Sequence, residues 1–207
     1  MLLTDSMSSL SGIRKGREMT AGIDLDGAAS AIKLLLEAFG VDEGDHTANT
    51  PERVARAWSE QLIGYEEDPA EHLRTTFSAP DDPGLVIVSG IHMKSTCAHH
   101  LLPFCGSATV AYRPNPGQRV VGLSKLSRVL HGYARRLQVQ ERIGADTVDA
   151  IHRMLNPSGI AVIITATHDC MRLRGVGDAD AVTTTVAKHG LLTDDEWHAI
   201  RQAHFGR

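Results

Sequence analysis

Cysteine is scarce in this chain, with three among 207 residues. Three thiols cannot all pair, so a disulfide scaffold is excluded as the basis of the fold. Long apolar runs are missing as well. None approaches the ~20 residues that cross a bilayer. The start, MLLTDSMSSLSGIRKGREM, lacks the basic opening and long apolar core of a signal peptide. These absences predict a cytoplasmic protein with no membrane partner. There is no internal repeat and no low-complexity tract, which argues against a repeat array.

Acidic residues are absent from one long segment. Residues 83–140 hold no Asp or Glu, yet carry Lys94, Arg113, Arg119, Lys125, Arg128, Arg135 and Arg136. The acids crowd into the first 82 residues, so the net charge of −4 hides an asymmetry. A basic middle on an acidic protein points to a local anion site and away from a nucleic-acid surface. The competing reading is a solvated basic face balanced by the acidic segment.

What is present suits one domain with a sizeable core. Hydrophobic residues make up 42% and charged residues 22%, ordinary values for a globular protein. Residues 1–21 are rich in Ser, Gly and Met without a period, and predict a disordered tail. LDGAASAIKLLLEAFG (25–40) has helical spacing and reaches Gly40 as a C-cap. TPERVARAWSEQLIGY offers Thr50 as N-cap and Pro51 at the first helical position. Residues 66–83 read as an acidic connector.

The character then changes. GLVIVSGIHM (84–93) and SATVAYRP (107–114) read as strands, NPGQ as a turn and RVVGL as a short strand. SKLSRVLHGYARRL (124–137) is an amphipathic helix with Leu126, Val129, Leu130, Tyr133 and Leu137 on its apolar stripe. A second helix covers 140–155 and stops at NPSG. GIAVIITATH (159–168) and AVTTTVAKHG (181–190) are strands, and TDDEWHAIRQAHF (193–205) is a closing helix. This order predicts an α+β fold with an antiparallel sheet, not alternating βαβ units. The expected division is a tail at 1–21, an N-terminal helical segment at 22–82 and an α+β domain at 83–207.

Two stretches carry the chemistry. KSTCAHHLLPFCG (94–106) and ATHDCMRLRG (166–175) place cysteines close to histidines. Cys97 and His100 are separated by two residues, which lets a strand end or turn bring both onto one ion. Cys170, just past a strong strand, can supply a third ligand. Three protein ligands of thiolate and imidazole type leave a fourth position open, the arrangement of a catalytic zinc. The bland alternative is buried cysteine beside surface histidine. His99 and His168 adjoin these positions and suit proton transfer near neutral pH. Cys105 reads as a small buried hydrophobe.

STCAHHLLPFCG, VGLSKLSRVLHGYARRLQVQERI, THDCMRLRGV and TTT…G, together with TPERVARAW, resemble the GTP cyclohydrolase I family in the same order. The resemblance covers roughly residues 27–205. It implies a tunnelling fold, an antiparallel sheet with helices packed on one face, preceded by an N-terminal helical segment. It implies Zn²⁺ on Cys97, His100 and Cys170, and catalytic histidines at His99 and His168. Guanine recognition falls on Gln140 and Glu141. Triphosphate contacts fall on Ser124, Lys125, Arg128 and Arg174, with Arg53 and Arg56 reaching in. The implied reaction is hydrolysis of GTP at C8, releasing formate and forming 7,8-dihydroneopterin triphosphate for pterin and folate synthesis. The implied assembly is a homodecamer with active sites at subunit interfaces.

One position departs from that family, which commonly reads Cys-Glu-His-His where this chain has Ala98. The departure allows a paralogue serving a specialised pathway. A second alternative is a related deazaguanine nitrile reductase, which uses a cysteine nucleophile and NADPH. A non-catalytic zinc-stabilised nucleotide-binding module is a third. A nucleobase deaminase is disfavoured, because no H-x-E with P-C-x-x-C occurs.

Overall fold

The computed structural model describes residues 22–206, so the tail expected at 1–21 lies outside the described residues. Helix α1 (Leu25–Ala38) starts where the Asp24 carboxylate accepts the Gly27 N–H at 2.8 Å. It stops at Gly40, whose φ of 68° belongs to a left-handed cap. Helix α2 (Thr50–Gln61) begins one residue earlier than expected. Asn49 is the N-cap and Thr50 is already helical, which still leaves Pro51 in the first turn, where no N–H is needed. The 66–83 connector contains a short 3₁₀ turn, Pro69–Leu73, and strand β1 (Thr76–Phe77), which pairs with β4 (Val120–Val121).

The main sheet is built from β2 (Val86–Cys97), β3 (Pro103–Arg113), β5 (Leu137–Gln138), β6 (Gly159–His168) and β7 (Thr183–Gly190), in the order β5-β2-β3-β6-β7. Its long pairings are antiparallel, and only β5 runs parallel to its neighbour β2. β2 and β3 extend well beyond the expected strands. β5 was not foreseen, since a two-residue strand has no period to detect.

Helices α3 (Leu123–Ala134) and α4 (Gln140–Leu155) lie along one face of this sheet. Leu126, Val129, Leu130 and Tyr133 are the buried stripe of α3, while Leu137 falls past its end in β5. Asn156 closes α4 in the left-handed region, and Pro157 follows. α6 (Asp194–Phe205) starts with a capping box between Thr193 and Glu196. It adds cover to the opposite face, where Ile200 meets Ala111, Ala161 and Ile163. β6 therefore buries alternate residues on both faces, Ile160, Val162 and Ile164 on one and Ala161 and Ile163 on the other. That is why its sequence is a continuous apolar run.

Register decides what meets at one end of the sheet. Phe104 sits opposite His168, Thr96 opposite Pro103 and Cys97 opposite Gln138. The end of β2, the start of β3 and the end of β6 thus converge. Gly106 lies nearby, between Met93 and Ala166 on the two neighbouring strands. A Cβ there would run into the Thr165 carbonyl oxygen and the Ala166 backbone. Gly106→Ala is expected to destabilise the protein by about 1–3 kcal/mol, the usual range for overpacking. A urea midpoint equal to that of the parent would show that β3 yields to admit the methyl group.

Candidate active site

Cys97 is the last residue of β2 and is 5% exposed. The chain then reverses in a tight turn. The Leu101 N–H donates to the Cys97 carbonyl at 2.9 Å, and the Cys97 N–H donates to the Leu102 carbonyl at 2.8 Å. The Ala98 N–H donates to the Gln138 carbonyl at 2.9 Å, tying the turn to β5. Leu101 adopts φ 56°, a left-handed conformation that costs a non-glycine residue about 1–2 kcal/mol. The turn carrying two histidines is therefore strained and held by its hydrogen bonds.

This turn brings His100 back over Cys97, with Nδ1 3.9 Å from Sγ. Cys170 arrives from the short helix α5 (Asp169–Arg172), which follows directly on β6. The ligand atoms of Cys97, His100 and Cys170 lie within 4.8 Å of one another. A tetrahedral zinc with bonds of about 2.0–2.3 Å places its ligand atoms somewhat under 4 Å apart. The cluster needs only a small contraction to meet that, and two thiols with one imidazole are donors zinc prefers. Burial, then the hydrogen bond with Cys97, pushes the Cys170 thiol above its ordinary range. A divalent cation would reverse that preference by binding the thiolate form. Cys105 is exposed on β3 and stays outside the cluster, contrary to the expectation that it is buried.

His168, the residue before α5, stacks on Phe104 with ring centroids 4.5 Å apart and planes 6° from parallel. Its Nε2 lies 2.8 Å from Gln140 Oε1. Burial holds its pKa below the ordinary imidazole range, while the Glu141 carboxylate pulls the other way. His99 is exposed, with its ring edge-on to that of His100 at 6.2 Å. Ala98 is exposed too.

Gln140 is one of the two residues expected at the guanine. Its side chain is turned into the protein and is 1% exposed. Nε2 donates to the Ile164 carbonyl at 2.9 Å, the Thr183 carbonyl at 3.0 Å and Thr185 Oγ1 at 3.1 Å. Every polar atom of that amide is engaged by its own chain. Neighbouring Glu141 is exposed at the start of α4. Sequence spacing carries no signal for this difference, because the partners of Gln140 come from β6 and β7.

The cationic residues are placed differently. Ser124 and Lys125 lie in the first turn of α3, with Arg128 one turn on. Arg53 and Arg56 project from α2, and Arg174 follows α5 close enough for its charge to act on Cys170. None of these cations forms an ion pair among the described residues. α3 leads at its far end to β5 beside Cys97. At 1.5 Å per residue, Ser124 and Lys125 sit about 15 Å along the helix from that end. No hydrogen bond joins them to the Cys-His-Cys cluster among the described residues. Phe104 was missed by the sequence reading, and only the β3–β6 register reveals it.

Fold and site define an α+β protein whose Cys97, His100 and Cys170 side chains could together hold a metal ion, beside a stacked, hydrogen-bonded histidine. The family model described as GTP cyclohydrolase I matches residues 28–204. The GTP cyclohydrolase 1 of Desulforamulus reducens is 46% identical over 174 residues, 84% of this chain and 92% of that protein. That of Pelotomaculum thermopropionicum is 48% identical over 163 residues, 78% and 86% of the two chains. The chain belongs to the GTP cyclohydrolase I family, and the architecture described above is its tunnelling fold. A solved structure of the archaeosine synthase QueF-Like in the apo form is 17% identical. It covers 54% of this chain and 98% of its own at a TM-score of 0.42, a likeness too slight to bear on function.

Proposed function

We propose that this protein hydrolyses GTP at C8 of the guanine in a zinc-dependent reaction, releasing formate and forming 7,8-dihydroneopterin triphosphate. The observation that carries this reading is the meeting of Cys97, His100 and Cys170 at the sheet end where His168 is held. Residues 83–207 act as the catalytic domain and 22–82 as an N-terminal segment. No helix among the described residues is long and apolar enough to cross a membrane, and the proposed setting is the cytoplasm.

Each group has a part. Cys97, His100 and Cys170 would hold the zinc. Bound there, zinc would supply Lewis acidity that makes water nucleophilic near neutral pH. His168 donates a proton to N7 as the imidazole ring opens, and His99 takes part in the later proton transfers. Glu141 accepts hydrogen bonds from guanine N1–H and the 2-amino group, a pattern adenine does not offer. Ser124, Lys125, Arg128 and Arg174, joined by Arg53 and Arg56, bind the triphosphate through charge-assisted hydrogen bonds. The start of α3 adds backbone N–H groups that favour phosphate. Incubation with GTP, following formate and pterin absorbance before and after chelation, tests the reading. A metal-free preparation with full activity would overturn it.

The distance between the α3 start and the metal cluster favours a shared site. A second copy of the chain would bring its Ser124, Lys125 and Arg128 to the cluster of the first, as the homodecamer expected from the family requires. β7 pairs only with β6 among the described residues; Val186 is exposed within it, and Val182 and Leu191 are exposed just before and after it. Such an open edge suits pairing with another copy.

Ala98 bears on rate. Because Ala98 is exposed, a new carboxylate there would not be buried. Ala98→Glu is expected to raise kcat or zinc affinity by about 10-fold, with KM nearly unchanged. Steady-state kinetics with parallel zinc analysis would show this. Parent-like values in all three would mean that the missing glutamate has no bearing on this enzyme.

A further inference from the structure

Gln140 is a buried amide with every polar atom committed, and its orientation is not ambiguous. An amide side chain ordinarily leaves O and N exchangeable. Here two neighbours decide the matter. The Ile164 and Thr183 carbonyls, 2.9 and 3.0 Å away, can only accept, so the atom facing them must be the NH₂. Oε1 then faces His168 Nε2 at 2.8 Å and can only accept from it. The neutral imidazole must carry its proton on Nε2, which leaves the lone pair on Nδ1. Stacking on Phe104 fixes the plane of the same ring.

We infer that Gln140 is a positioning residue that locks His168 in one ring orientation and in the Nε2–H tautomer. Any proton His168 exchanges with a substrate then passes at Nδ1, which donates to N7 only after taking up a proton to form the imidazolium. The orientation is dictated by the backbone of β6 and β7, so two strands of the main sheet are wired to the histidine through one amide. This deepens the catalytic role of His168 and rests on that reading for its kinetic consequence. The tautomer itself follows from the hydrogen bonds alone. It also gives Gln140 a task other than guanine recognition by its side chain.

The test uses full-length, zinc-loaded protein labelled with ¹⁵N-histidine, studied by solid-state NMR at a pH where the ring is neutral. A His168→Asn spectrum assigns the signal by difference. The expected result is a protonated Nε2 and an unprotonated Nδ1. The opposite tautomer in the parent protein would overturn the inference without any variant, and would leave GTP hydrolysis itself untouched. Gln140→Met removes the acceptor at similar length, and should release the tautomer and lower kcat by about 10–100-fold with KM within about twofold. Gln140→Glu, protonated, can still accept from Nε2 while donating to a carbonyl, and should restore the Nε2 proton. Should Gln140→Met lose its fold or zinc, the parent tautomer and the Gln140→Glu signal decide alone. A Gln140→Met enzyme with an unchanged tautomer, or with a raised KM and unchanged kcat, would show that the amide serves packing or the guanine.

Discussion

Cys170→Ser is expected to leave the protein folded, nearly free of zinc and without measurable turnover of GTP. Cys170 supplies one of three ligand atoms gathered within 4.8 Å. A serine hydroxyl is not ionised near neutral pH and is a poorer zinc ligand than thiolate, so only Cys97 and His100 would remain. Two ligands from one short turn hold a cation weakly, because the third is what links the β2–β3 turn to the end of β6. Metal analysis and a formate assay on the same preparation measure both losses. Cys105→Ser is the control, since Cys105 is exposed and outside the cluster. It should keep zinc and activity. Full turnover by a zinc-free Cys170→Ser protein would sink the metal-dependent mechanism.

His168→Ala is expected to separate binding from chemistry. The variant should keep its zinc and bind GTP, yet lose at least ~100-fold in kcat, the scale of a missing general acid. His168 is not one of the three clustered ligands, although it precedes Cys170 by two residues. Removing it leaves Gln140 Oε1 without its donor and opens one face of Phe104. Zinc content and a GTP-binding isotherm must therefore accompany the kinetics. Loss of zinc in His168→Ala would assign His168 to holding the metal site together, and would overturn its role as proton donor.

Much of this was legible without coordinates. α4 and β6 fall where the sequence puts them, because one carries a sustained helical period and the other is a run of β-branched residues. The Cys97 and His100 pair is legible because its spacing fits a single turn. Asn49 takes the capping position expected of Thr50 at the start of α2, since both residue types cap well and only the backbone chooses. β5 escaped notice for a different reason: two residues pair there only because the end of β2 lies alongside.

The sequence by itself determined the class of fold, the family, the cysteine and histidine residues able to hold a metal ion and a basic segment suited to an anion. The family follows from its motifs, and the rest from residue type and local period, which a linear chain displays directly. The tertiary structure alone decided how distant residues meet. Strand register set Phe104 against His168, and the carbonyls of Ile164 and Thr183 turned Gln140 inward onto that same histidine. The reason is physical. A side chain's partners across a sheet depend on register, and a shift of one residue would exchange its faces. No property of Gln140 and Glu141 as neighbours in sequence says which of them faces the protein. The packing of α4 on β6 and β7 buries the first and leaves the second exposed.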